Sequence, residues 1–165
     1  MRISPRLGAA HRAAAEGAAI GPLLQEALLG LGRPRAQLNC LLAGDATLRA
    51  LNRRFAGRAT ATDVLAFPAP AAGSRFRLPP GAESQLGDVV ISVPLAVRQA
   101  GRASQSADAE LRLLAVHGLL HLLGHDHARP AEARRMTVTT RRLLAAAAHR
   151  SGRPEPVVAE LRPSA

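Results

Sequence analysis

The chain contains no lysine, no tryptophan and no tyrosine, and it has a single cysteine. One cysteine excludes an internal disulfide framework and the cysteine-rich zinc modules. Cys40 falls in a run that reads as a strand, where a buried free thiol is expected. With aromatic residues at 2%, the core must be built from Leu, Val, Ala and Ile. No uninterrupted apolar run reaches the roughly 18 residues that a membrane helix needs. Residues 1–20 carry Arg2, Arg6, Arg12 and Glu16 without a continuous apolar stretch, so they do not read as a secretory signal. The same residues are Arg-rich and acid-poor, as organelle transit peptides are, but a cytoplasmic protein is the expectation. There is no internal repeat.

Acidic residues are also few, 12 against 22 basic residues that are all arginine, which gives a formal charge of +10 and a pI near 11.8. A GC-rich genome explains arginine in place of lysine, since the chain is rich in Arg, Ala, Gly and Pro together. It does not require bases to exceed acids so heavily. A strong positive field concentrates phosphate polymers and speeds their capture, which places nucleic acid or a ribonucleoprotein first among partners. Hydrophobic residues at 47% of 165 are enough for one folded domain and few enough to argue against two. That domain is expected over residues 1–150, with 151–165 a Pro-punctuated tail that needs no fixed structure.

Several helices and strands are legible. Ala9–Ala19 and Pro22–Leu31 read as helices, Gln37–Ala43 as a strand, and Asp45 as the N-cap of a helix through Leu48, Leu51 and Asn52. A loop over Gly57–Thr62 leads to a strand over Val64–Phe67, which Pro68 stops. The stretch from Pro68 to Gly87, with Arg75 and Arg77 beside Phe76, reads as a mobile loop. Gly87–Val93 is the clearest strand, followed by a short helix over Pro94–Ala100. Long helices are expected at Ala107–Leu123 and Pro130–Arg150. Early helices, three short strands and then helices define an α+β fold rather than an alternating α/β one.

The segment His117-Gly-Leu-Leu-His121-Leu-Leu-Gly124-His125-Asp126-His127 holds four of the six histidines. His117 and His121 lie one turn apart on a single helix face, a spacing that lets two imidazoles meet one ion. Gly124 tolerates the left-handed backbone that ends a helix and turns the chain back, which places His127 as a third ligand. Three neutral imidazoles suit Zn²⁺, accept Ni²⁺ or another late first-row metal, and leave a coordination position open for water or substrate. Asp126 either orients a ligating ring through its second nitrogen or caps the turn. His125 is expected to be exposed and not to ligate. Metallopeptidases place a glutamate base directly after the first histidine, and this chain has Gly118. Among carboxylates, Glu110 lies two turns earlier on the same face, while Asp63 and Asp88 sit at strand edges.

HGLLHLLGHDH closely resembles the zinc signature of the YbeY family of bacterial endoribonucleases, with His125 where that family normally has Tyr. Leu51-Asn52 followed by Thr62-Asp63-Val64-Leu65-Ala66-Phe67-Pro68 resembles the family's Leu-Asn and Thr-Asp-Val-Leu-Ser-Phe-Pro segments. Leu86-Gly87-Asp88-Val89-Val90-Ile91 is similar to its Gly-Asp-Ile strand. The likeness runs from about Leu38 to Leu144. It implies a small mixed sheet packed with helices in a metzincin-like zinc hydrolase architecture, with His117, His121 and His127 as zinc ligands. It also implies a single-stranded RNA substrate, chiefly precursor ribosomal RNA on the assembling small ribosomal subunit, and no membrane partner.

The family usually carries an arginine, implied to engage RNA phosphate, after the aromatic residue that follows Leu-Asn. Here that aromatic is Phe55 and Ala56 follows it. Arg58 is the candidate to act in its place, and Arg54 and Arg58 are the candidates for binding substrate. The resulting expectation is a zinc-dependent endoribonuclease maturing the 3′ end of 16S rRNA and acting in ribosome assembly and quality control. The alternative is an RNA-binding assembly factor that keeps the metal and has weakened catalysis.

Overall fold

The apolar runs in Gln37–Ala43 and Gln85–Ser92 build the centre of a four-stranded sheet in the computed structural model, which describes residues 1–57, 62–70 and 84–159. Strand β1 (Arg2–Ile3) pairs in parallel with β2 (Gln37–Ala43). Strand β2 pairs in parallel with β4 (Gln85–Ser92), and β3 (Val64–Pro68) lies antiparallel on the far side of β4. The order β1-β2-β4-β3 makes the sheet mixed and leaves β3 at its edge. A two-residue strand carries no readable period, so β1 adds a strand to the three expected.

The helices are α1 (Ala9–Gly17), α2 (Ile20–Gly30), α3 (Asp45–Ala56), α4 (Val93–Arg102), α5 (Ala107–Leu122) and α6 (Pro130–Ser151). Register sorts the strand residues onto two faces. Leu41, Val90 and Leu65 share one cross-strand row and pack with Leu48 and Leu51 of α3. Cys40, Leu42, Val89, Ile91 and Val64 point the other way, into the main core with α2, α5 and α6. Helix α5 runs through that core. Its Leu111, Leu119 and Leu120 are fully buried, and each contributes about 1.5–3 kcal/mol of transfer free energy. The architecture is α+β, as the order of elements implies. Among the described residues no helix is long and apolar enough to cross a membrane.

Serine hydroxyls start two of these helices, Ser92 accepting Leu95 N–H at 3.2 Å and Ser106 accepting Ala109 N–H at 3.3 Å. Asp45, expected as an N-cap, lies inside α3 instead, and Gly44 holds the cap position. The Asp45 carboxylate accepts the Ser92 hydroxyl and the Arg98 guanidinium, the latter at 2.7 Å, and so ties α3 to α4. Cys40 is buried, and loss of solvent pushes its thiol pKa up to about 12.

Beyond Ser151, the last residue of α6, residues 153–159 run back over α5 and α6. Arg112 of α5, only 2% exposed, donates to the Pro154 carbonyl at 2.9 Å. Arg141 donates to the Val158 carbonyl and Gln105 accepts the Val157 N–H, both at 2.9 Å. Residues 160–165 lie outside the described residues, as does 71–83, the greater part of the loop expected after Pro68.

A buried charged donor makes a stronger hydrogen bond than a neutral one, and its stem fills core volume. Arg112→Ala is therefore expected to lower unfolding free energy by about 2 kcal/mol. The denaturant midpoint should fall with it, and a midpoint unchanged from the parent would show that the anchor is not used.

Candidate metal centre

Helix α5 ends in a Schellman turn. The N–H of His125 reaches back to the Leu120 carbonyl and that of Gly124 to His121, each at 3.0 Å. Gly124 has φ +82°, a conformation that a side chain would strain. The reversal carries His127 back toward the helix face bearing His117 and His121. One ligand atom from each of the three rings lies within 4.8 Å of the others. The Nε2 atoms of His117 and His121 are 3.0 Å apart, and the ring centroids are 4.6, 5.2 and 5.4 Å apart.

These residues fit a single metal ion. Zinc binds imidazole nitrogen at about 2.0–2.1 Å, which sets tetrahedral donors roughly 3.3 Å apart, so small ring rotations close the site. Protonation does not compete at neutral pH for the most buried ring. Burial first, and then the neighbouring His121 and His127, pushes the His117 pKa down to about 4, against the attraction of Asp63. His121 is lowered as well, chiefly by burial. Neutral imidazoles are the ligating form.

A groove of about 600 Å³ opens over the three rings, its other side formed by residues 62–66 and Pro68 of the β3 edge. Asp63 is the carboxylate that lines it. Oδ1 of Asp63 accepts the Val64 N–H at 2.8 Å and the Thr62 hydroxyl at 3.3 Å, while Oδ2 accepts the Gln99 amide at 2.9 Å. Gln99 had no signal in the sequence, and its own Oε1 is buried without a partner among the described residues. Asp88, the other strand-edge acid, is exposed and accepts Asn39 Nδ2 at 2.8 Å, away from this groove. Glu110 lines a smaller adjoining cavity that it shares with His117.

Asp126 accepts the backbone N–H of His127 at 2.7 Å, so it fixes the turn that presents the third ring. His125 is half-buried and stands outside the ligand cluster. It lines a separate hollow of about 560 Å³ with Asp126, Glu132, Arg134 and Arg135. Arg54 is exposed, and its guanidinium carbon stands 5.4 Å from the Phe55 ring centroid; it does not line the histidine groove. Phe55 in turn meets Phe67 edge-on at 5.1 Å. Arg58 and the side chain of residue 56 lie outside the described residues.

Gly118 has a reason that the motif alone does not give. A Cβ there would stand 2.6 Å from Val89 Cγ1 and 3.2 Å from Val64 Cγ2. The missing side chain lets α5 approach the sheet, and a glutamate in this place would be driven into β4.

The elements and the centre together define an α+β domain with a three-histidine site at a helix–glycine turn, set against a sheet edge. The family model described as endoribonuclease YbeY matches residues 18–148, and the chain belongs to that family. Its curated relatives carry the name endoribonuclease YbeY. The one from Anaeromyxobacter sp. strain Fw109-5 is 50% identical over 109 residues, covering 66% of this chain and 53% of the relative. That from Anaeromyxobacter dehalogenans strain 2CP-C is 45% identical over 133 residues, covering 78% and 65%. That from Moorella thermoacetica is 44% identical over 112 residues, covering 67% and 72%. The chain thus spans less than two thirds of the length of the first two.

Two outcomes are expected of metal-free protein. In Gly118→Ala, overpacking of about 1–3 kcal/mol exceeds the helix-propensity gain of about 1 kcal/mol. A net loss is expected, and it should shrink in a Val89→Ala background; a double-mutant cycle with no coupling would contradict the contact. Between pH 6.5 and about 4 an unfolded His117 binds a proton that the folded one refuses. Metal-free protein should therefore lose stability as pH falls through that window and level off below it. A flat stability curve across that range, read by thermal unfolding, would contradict the burial of His117.

Proposed function

We infer that the chain is a metal-dependent endoribonuclease that cuts single-stranded RNA in the maturation of the 16S rRNA 3′ end and acts in ribosome assembly. The observation that carries this reading is the convergence of His117, His121 and His127 at the floor of an open groove, in a chain of charge +10 that belongs to the YbeY family. Zinc is the metal that three neutral imidazoles and an open coordination position suit best, with nickel as the alternative occupant. Held by His117, His121 and His127, such an ion would supply Lewis-acid polarisation of a phosphate oxygen and a bound water of pKa roughly 7.

The chain's own residues do the rest. The three imidazoles hold the ion from one side and leave the groove side to substrate. Asp63, fixed by three hydrogen bonds on the opposite wall, is placed to accept a proton from the attacking group. Arg134 and Arg135, in the hollow beside the metal turn, bind flanking phosphates. The groove is open along the β3 edge, as an extended single strand requires.

The second reading is an assembly factor that binds RNA and metal with weakened catalysis. The observation favouring it is that Arg54 stands over Phe55, outside the groove, while Ala56 occupies the place of the family's usual arginine. Turnover separates the two readings.

Zinc-loaded protein is expected to cleave single-stranded precursor rRNA, and chelator or His121→Ala should abolish both bound metal and cleavage. Cleavage surviving either treatment would refute the metal mechanism, and no turnover with intact RNA binding would favour the assembly factor. Replacing Arg134 and Arg135 by Ala should weaken binding of all RNA sequences alike. It should also flatten the slope of log affinity against log salt by about 1–2 units, as measured by anisotropy titration at several salt concentrations.

A further inference from the structure

Behind His117 lies a second cavity of about 200 Å³, distinct from the open groove but sharing Asp63, Val64 and His117 with it. This is roughly seven times the volume of a water molecule, room for one planar ring system and too little for a folded peptide or a phosphate with its hydration shell. Val64, Leu113, Leu114 and Val158 give it apolar walls. Among the described residues its charged lining is Glu110 and Asp63, with no arginine, in a chain whose arginines outnumber its acids. A phosphate is repelled from such a pocket, whereas a ring bearing N–H groups is attracted.

Glu110 is more than nine-tenths buried, and Gln105 donates to its Oε2, while its Oε1 has no hydrogen bond among the described residues. Burial first, and then the nearby Asp63, raises the Glu110 pKa against the hydrogen bond from Gln105. Val158 and Ala159 line the cavity from the 153–159 segment, and Gln105 ties that segment in by holding both Glu110 and the Val157 N–H.

We propose that this cavity receives one unstacked nucleobase of the RNA strand lying over the metal centre, and that Glu110 selects bases carrying an amino group over uracil. The inference rests on the single-stranded RNA reading above. The amino groups of cytosine, adenine and guanine donate to a carboxylate. Uracil flanks its single ring N–H with two carbonyl oxygens, which two carboxylates repel. The apolar walls take the faces of the ring, the arrangement by which unpaired bases are generally read. Glu110 is thus a specificity residue. The segment 153–159, which belongs to neither the histidine turn nor the sheet, completes the site through Val158.

The full zinc-loaded chain is titrated with cytidine, adenosine, guanosine or uridine monophosphate, while the methyl NMR signals of Leu113, Leu114 and Val158, which line the cavity and not the groove, are followed. Saturable shifts at these methyls are expected with the three amino-bearing nucleotides, at concentrations about tenfold lower than with uridine monophosphate. Glu110→Gln, whose amide accepts and donates, should reduce that discrimination to within about twofold. Val158→Trp, a change on the segment outside the helices, should fill the cavity and abolish the shifts at the other methyls. Shifts confined to the histidine groove or the arginine hollow overturn the proposal, as does identical base discrimination in the parent and Glu110→Gln. The readout needs no cleavage. Methyl shifts without turnover would sink the nuclease reading and keep the pocket, and turnover without methyl shifts would do the reverse.

Discussion

The close approach of α5 to the sheet at Gly118 is the contact on which the site depends. Val89 and Val64 fill the space that a side chain at residue 118 would take, and this sets the helix axis against β3 and β4. His117, one residue earlier, is thereby held half-buried beside the β3 edge, with Asp63 near. A bulkier residue would lift the helix and widen the gap between the rings and the opposite wall of the groove. The lowered basicity of His117 follows from this packing, because burial is its largest cause. Core packing and metal readiness are therefore one property of the helix.

Much of this was readable in advance, for identifiable reasons. A spacing of four on a helix and a glycine three residues later constrain three rings strongly, and the structure gathers His117, His121 and His127. The main strands were legible because β2 and β4 are apolar and bounded by Pro or Gly. Strand β1 was not, since two residues paired to Leu41 and Leu42 take their conformation from the partner strand. Asp45 has the chemistry of a cap, but a serine hydroxyl and a guanidinium compete for it across 47 and 53 residues of chain. Sequence proximity carries no information on such partners.

Roles set by three-dimensional neighbours were the illegible part. Asp63 and Asp88 look alike as acids at strand edges, yet one lines the groove and the other pairs with Asn39 on the exposed side. Gly118 reads as a missing glutamate, whereas its positive role is a van der Waals distance to β4. Arg112 reads as one more cation in a basic chain, and the fold instead buries it as the anchor of the 153–159 segment. Composition predicts a field of arginines, but it does not say which of them faces inward.

Cys40 carries a last consequence. The only sulfhydryl in the chain is buried in the main core and kept almost wholly in its unreactive protonated form at neutral pH. Alkylating and oxidising reagents meet it only when local motion uncovers the sulfur, which borders a hollow shared with Met1, Leu24 and Leu28. The rate at which a thiol probe is consumed thus counts the openings that bring this sulfur to solvent, without any engineered label.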